Sequence, residues 1–215
     1  MGLKNLELKN IYEASNKVYK IARKTPLYKT VDLSDELGSE IYYKLEFLQD
    51  TGSFKVRGAS NFALNLSTEK LKKGLVTYST GNHGRAVSHV AKTLGTDAKV
   101  CLSNNVPENK KEGIRKSGGN VIVYGDSQDE AKIKAEELNN SEGRSIVPPF
   151  DDTHIISGQG TIGLEIMQEI PDLDSVIVPL SGGGLISGIA LAVKSVNPEC
   201  KVYGVSMDRG AAMYE

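Results

Sequence analysis

Apolar residues recur near the start of the chain at a helical period. Ile11, Ala14, Val18 and Ile21 fall close to the i, i+3, i+7 spacing of one helix face. This predicts a helix over Asn10 to Lys24, ended by Thr25-Pro26 because the residue before proline is pushed out of the α region. A short strand follows at Ile41 to Lys44, then a helix from Val56 to Ser67 with Ala59, Phe62, Ala63 and Leu66 on one face. From there strands and helices alternate: Leu75 to Tyr78 with Ala86 to Leu94, Ala98 to Leu102 with Pro107 to Ser117, Asn120 to Tyr124 with Asp126 to Asn140. Apolar runs of this length between helices are the pattern of a parallel sheet covered by helices.

Pro148-Pro149 interrupts the pattern, and a second α/β unit follows. It has helices at Thr161 to Ile170 and Leu185 to Val196, and strands at Ser175 to Leu180 and Lys201 to Ser206. These are few strands for a finished domain, so the expectation is a chain truncated at its C-terminus.

Composition adds bounds. A chain of 215 residues, 39% hydrophobic and 25% charged, is an ordinary soluble globular protein with room for one large domain or two small ones. A net charge of -1 with scattered basic residues offers no field for nucleic acid or an anionic membrane. No stretch reaches the roughly 18 apolar residues of a membrane span, and no secretory leader is present, so a cytoplasmic protein is expected. Cys101 and Cys200 lie far apart in strand-like surroundings, which suits buried reduced thiols.

Three turns can carry chemistry. Ser181-Gly182-Gly183-Gly184-Leu185 joins a buried strand to a helix; glycines let main-chain N–H groups approach an anion and the helix end adds positive charge. A tightly packed turn satisfies the same pattern, and it is neither a P-loop nor a clean GxGxxG. Ser79-Thr80-Gly81-Asn82-His83-Gly84 also opens a helix, and its hydroxyls, amide and backbone could surround a carboxylate; a plain helix cap reads the same way. Lys55, in Ser53-Phe54-Lys55-Val56-Arg57-Gly58-Ala59, precedes a helix and follows an aromatic residue. Desolvation and the helix end would both lower its pKa and free the amine for attack on an aldehyde, although a surface charge is the ordinary fate of a lysine. His89 and His154 read as structural.

Taken in order, these segments resemble the serine/threonine dehydratase group of fold-type II pyridoxal-phosphate enzymes, which are tryptophan synthase β-like. Thr25-Pro26-Leu27, Lys44-Leu45-Glu46 and Gly158-Gln159-Gly160-Thr161 extend the similarity through nearly the whole chain. Within the group, the Ser79 to Arg85 stretch, Val147-Pro148-Pro149-Phe150-Asp151 and Gly204 to Met213 look most like the dehydratases of hydroxyectoine utilisation.

The resemblance implies a two-domain α/β enzyme, with a small domain at 48–147 inserted between the 1–47 and 148–215 pieces of a larger one and pyridoxal 5′-phosphate in the cleft. Lys55 would hold the cofactor as a Schiff base and move the α-proton of the substrate. Phe54 would lie against the ring, Asn82 would bond its phenolic oxygen, and Ser181, Gly182, Gly183, Gly184 and Leu185 would bind the phosphate. Ser79, Thr80, Gly81, Asn82 and His83 would receive the substrate carboxylate. The implied reaction is an ammonia-lyase (dehydratase) reaction, converting threonine, serine or a hydroxyectoine-derived amino acid to a 2-oxo acid and ammonia, in a homodimer or higher homo-oligomer.

Relatives that racemise serine carry a serine as second acid/base where this chain has Thr80, which disfavours racemase activity without removing it. No metal is expected: members of the family it resembles that hold a divalent cation use a carboxylate where Ser206 lies, and Gly210 and Ala212 supply no replacement carboxylates at the neighbouring positions. The residue that would face the pyridine nitrogen lies beyond Glu215. A β-replacing synthase and a phosphate-binding module without turnover are compatible with the same residues, and a glycine-rich nucleotide site is disfavoured by the lack of the acidic residue it needs.

Overall fold

The computed structural model describes residues 6–79 and 81–208. Helix α1 (Leu8–Val18) starts at a capping box of Glu7 and Asn10 and buries Ile11, Ala14 and Val18. It stops six residues short of the expected Lys24: Tyr19 caps it, and the following turn carries Ala22 inward by itself. Strands β1 (Leu27–Thr30) and β2 (Ile41–Lys44) form an antiparallel pair, with Leu27 opposite Lys44 and Thr30 opposite Ile41. Helix α2 (Val31–Leu37) connects them and ends on Gly38 in the left-handed region.

The helix expected over Val56 to Ser67 ends early, at Ala63. Helix α3 (Lys55–Ala63) is followed by α4 (Thr68–Lys72), for which Ser67 is the N-cap, its hydroxyl accepting the Lys70 N–H at 3.2 Å.

The alternating segment then builds β3 (Leu75–Tyr78), α5 (Asn82–Thr93), β4 (Ala98–Leu102), α6 (Glu108–Lys116), β5 (Asn120–Val123), α7 (Gln128–Glu142) and β6 (Ser145–Ile146). The strands are parallel, in the order β5-β4-β3-β6. Side-chain alternation sorts the core onto two faces. Leu75 and Ala98 pack with Val87, Val90 and Ala91 of α5, and Val100 and Leu102 with Ile114 of α6. Val76 and Cys101 face Ala131, Ala135 and Leu138 of α7. The strand order turns back at β3, so the carboxyl ends of β3 and β6 lie side by side, where open α/β sheets leave a crevice.

Helix α8 (Thr153–Glu169) is capped by the Asp152 carboxylate, which accepts the N–H groups of His154 and Ile155 at 2.8 and 3.1 Å. Strand β7 (Ser175–Pro179), helix α9 (Gly184–Val196) and strand β8 (Lys201–Val205) complete the described chain, with β7 and β8 parallel. Both cysteines are buried and free. No helix among the described residues is long and apolar enough to cross a membrane.

Helix α8 is the axis on which the rest is set, and glycines on two of its sides let neighbours close in. A Cβ on Gly158 would lie 2.7 Å from the Arg57 carbonyl oxygen and from the Gly58 Cα, so α3 touches α8 backbone to backbone. On another side, a Cβ on Gly160 would lie 3.0 Å from the Gly188 carbonyl, and one on Gly188 would strike the Ile156 carbonyl of α8. The run Gly158-x-Gly160-x-x-Gly163 therefore serves helix packing in mid-helix, not a phosphate turn. Its consequence is positional: the first residues of α3 and α9 are both fixed relative to one helix.

Candidate active site

Lys55 is the first residue of α3, placed there by the turn at Gln49–Phe54. Its side chain is half-buried; the Nζ donates to the Pro149 carbonyl at 2.7 Å and lies 5.3 Å from the centroid of the Phe54 ring. Burial pulls the amine down to about 8, so about a tenth is unprotonated at neutral pH, far more than for a free lysine. Phe54 packs on the cluster of Ile162, Ile166 and Ile189, which also takes Leu185 and Ile186 from the start of α9. Two residues before the lysine, the Ser53 hydroxyl is buried without a hydrogen-bond partner among the described residues.

One turn into α3, Arg57 is wholly buried and anchors the helix beneath the amine. Its guanidinium donates to Glu46 at 2.7 and 2.8 Å, to Glu165 at 2.5 and 3.0 Å and to Thr161 at 3.1 Å. Lys44 Nζ meets Glu165 at 2.7 Å, and the Tyr19 hydroxyl donates to the same carboxylate at 2.7 Å. Two cations face two carboxylates, so the cluster is neutral. Burial works against the charge on Arg57, and the hydrogen bonds with Glu46 and Glu165 outweigh it, so its pKa rises. Burial also opposes ionisation of Glu165, but Arg57 and Lys44 hold it below the usual carboxylate range.

The second candidate turn leaves β3 and starts α5. Asn82 is exposed at the first position of that helix and makes no hydrogen bond among the described residues, so its amide is available to a ligand. The Ser79 hydroxyl makes only a long contact, 3.5 Å, with the Gly81 N–H. A Cβ on Gly84 would lie 2.7 Å from the Ser79 carbonyl, which lets the turn fold tightly onto the helix. His83 is turned inward: its Nε2 sits 3.0 Å from the Val147 carbonyl, and burial pushes the imidazole down to about 4, with Lys55 adding in the same direction. Thr80 lies outside the described residues, as do Gly210, Ala212 and the rest of the 209–215 stretch.

At the third turn, Gly183 has φ of 80°, a left-handed conformation that favours glycine, and caps α9. Ser181 is exposed. Among the described residues, no protein acceptor takes the backbone N–H groups of Gly182 through Ile186, which leaves a row of free donors at the positive end of a thirteen-residue helix.

In the sequence, the segment that joins these turns shows proline punctuation and a stretch that carries the family resemblance, but no sign of what it contacts. Val147 continues from β6, its N–H bonded to the Val76 carbonyl at 2.9 Å and its own carbonyl accepting from Thr77 Oγ1 at 2.9 Å and from His83. Pro149 offers its carbonyl to Lys55. Phe150 then lies against the glycine turn: a Cβ on Gly182 would strike its ring, and one on Gly184 would lie 2.6 Å from its carbonyl oxygen. This strap of four residues brings Lys55, His83 and the glycine turn together. The part of it that a sequence could have shown is the pair of bare glycines, which imply a bulky neighbour.

The arrangement fits an aldehyde cofactor that carries a phosphate. It offers an amine of lowered basicity, a row of free N–H donors at a helix end and an orphaned hydroxyl within one region. A family model of pyridoxal-phosphate dependent enzymes matches residues 18–215. A protein of Sinorhizobium fredii, provisionally named a threonine dehydratase, is 48% identical over 98% of this chain, which covers 64% of it. The L-threonine ammonia-lyase of Thermotoga maritima is 43% identical over 97% of this chain, covering 52% of the longer protein. Among solved structures, a serine racemase from maize superposes with a TM-score of 0.89 at 35% identity, over 92% of this chain and 60% of that one. The chain thus spans about half to two thirds of the length of these proteins.

Proposed function

Because the chain belongs to the pyridoxal-phosphate dependent enzyme family, we propose that it is an ammonia-lyase that eliminates the hydroxyl of a small β-hydroxy amino acid as water; the released enamine takes water back on hydrolysis, so the net products are a 2-oxo acid and ammonia. The candidate substrates are threonine, serine and a hydroxyectoine-derived amino acid. The observation that carries the reading is the Lys55 amine, half-buried, of reduced basicity, and tied through the Val147–Phe150 strap to the glycine turn.

In this reading Lys55 anchors pyridoxal 5′-phosphate, Phe54 and Asn82 flank its ring, and Ser181 through Leu185 hold its phosphate. When bound, the cofactor supplies an electron sink for the pair left at the substrate Cα. The chain's own residues do the rest. Ser79, Thr80, Gly81 and Asn82 would receive the carboxylate at the start of α5, and the Lys55 amine would take the α-proton at Nζ. The site lies between a small unit, 48–147, and a larger one, 1–47 and 148–215, in a cytoplasmic homo-oligomer.

The similarity to the L-threonine ammonia-lyase of Thermotoga maritima favours elimination, and that to the maize serine racemase keeps racemisation as the second reading. The test incubates the purified chain with pyridoxal 5′-phosphate and threonine or serine, and follows ammonia release and the chirality of the remaining amino acid. Ammonia lost on Lys55→Ala supports the lyase. Inverted serine without ammonia supports the racemase, and cofactor capture without either product supports a binding module.

A further inference from the structure

The His83 side chain stands in a motif expected to meet a substrate carboxylate, yet its Nε2 is spent on the main chain. The ring is buried, 2% exposed, and Nε2 lies 3.0 Å from the Val147 carbonyl. A carbonyl oxygen can only accept, so Nε2 carries the hydrogen and the ring is the Nε2–H tautomer. The same carbonyl takes a second hydrogen bond from Thr77 Oγ1, so it is held from β3 and from α5 at once. The next two residues are prolines, whose φ is fixed and which have no N–H to bond elsewhere. With Val147 pinned and the φ of both prolines fixed, few torsions are left to aim the Pro149 carbonyl, which receives the Lys55 amine at 2.7 Å.

We propose that His83 is a positioning residue for Lys55: as an Nε2–H donor it pins the Val147 carbonyl and, through the rigid Pro148-Pro149 pair, sets the Pro149 carbonyl against the lysine amine. The inference rests on the reading of Lys55 as the amine that captures the cofactor aldehyde. It differs from an acid–base role for the imidazole. With its ionisation pushed far below neutrality by burial, and the charge of Lys55 acting in the same direction, the ring stays neutral across the range in which Lys55 titrates.

The test uses the 215-residue chain and pyridoxal 5′-phosphate itself as the probe, and reads the rate of borohydride-trapped capture at Lys55 against pH, not turnover. His83→Leu keeps the bulk and removes the donor; capture is expected to slow about tenfold, with a shifted pH midpoint, because a buried acceptor loses a partner and the strap its anchor. His83→Gln restores an N–H donor and is expected to recover most of the rate and the original midpoint. Capture by His83→Leu at the unmutated rate overturns the proposal. So does a His83→Gln variant as slow as His83→Leu with an altered pH profile, which would assign the imidazole an acid–base part. If His83→Leu fails to fold by circular dichroism, Thr77→Val removes the other donor to the same carbonyl and is expected to slow capture by about threefold; an unchanged rate overturns the proposal. Failure of the unmutated chain to capture the aldehyde at all is a separate result, which overturns the proposed function and this inference with it.

Discussion

At Lys55 the fold lowers the pKa of a half-buried amine from 10.5 to about 8 by removing water from around it. Between those values the unfolded chain holds a proton that the native chain has released, so stability at this site rises with pH across that window. Lys55→Met removes the cost of burying the ammonium. It is expected to raise stability below pH 8 by on the order of 2 kcal/mol, discounted for the amine's partial solvation. Urea titrations at several pH values check this: the gain over the unmutated chain should shrink toward zero as pH approaches 10.5. Arg57 behaves in the opposite way, because its partners are ions. Arg57→Leu leaves Lys44 as the one cation of the cluster against the two carboxylates, Glu46 and Glu165, and is expected to cost about 3–5 kcal/mol in the same assay. The lysine and the glycines were legible in the sequence because their chemistry is a matter of residue type. The Val147–Phe150 strap was not, since Val147 and Pro149 act through carbonyl oxygens that every residue has.

Among the elements, the strands β3, β4, β5, β7 and β8 were readable within a residue or so, because strands covered by helices become short apolar runs. Helix starts were harder. Helix α8 begins at Thr153, eight residues before the expected Thr161, because Gly158 and Gly160 lower the helical signal locally while packing against α3 and α9 favours the helix. Strand β6 has two residues, too few for any period, and β1 and α2 gave no apolar pattern of their own. The packing role of the α8 glycines is open to substitution. Gly188→Ala puts a methyl group into the Ile156 carbonyl and is expected to cost about 1–3 kcal/mol. Gly113→Ala in α6, where the nearest atom is Arg85 Cδ at 3.7 Å, should be neutral or stabilising by up to about 1 kcal/mol. Thermal melts of the two variants distinguish a packing role from simple helix propensity; equal and small effects would contradict it.

The molecule as a whole places two helix N-termini and a lysine around the crevice at the ends of β3 and β6, and among the described residues leaves an apolar surface open on β7 and β8. In the pair of β7 and β8, Val176 and Val178 face α9, while Ile177, Tyr203 and Val205 are 71%, 51% and 57% exposed. Parallel sheets are usually covered on both faces, so the 215-residue chain is expected to self-associate through this surface. Ile177→Lys with Tyr203→Lys should lower its sedimentation-derived mass at equal concentration, and an unchanged mass would contradict the expectation. The central claim is that Lys55 is the amine that takes up the cofactor. Its most direct test treats the chain with substoichiometric pyridoxal 5′-phosphate, reduces with borohydride and maps the adduct by mass spectrometry. One modified peptide, carrying Lys55 and lost in Lys55→Ala, is the predicted result; label spread over surface lysines, and equal in Lys55→Ala, would contradict the claim.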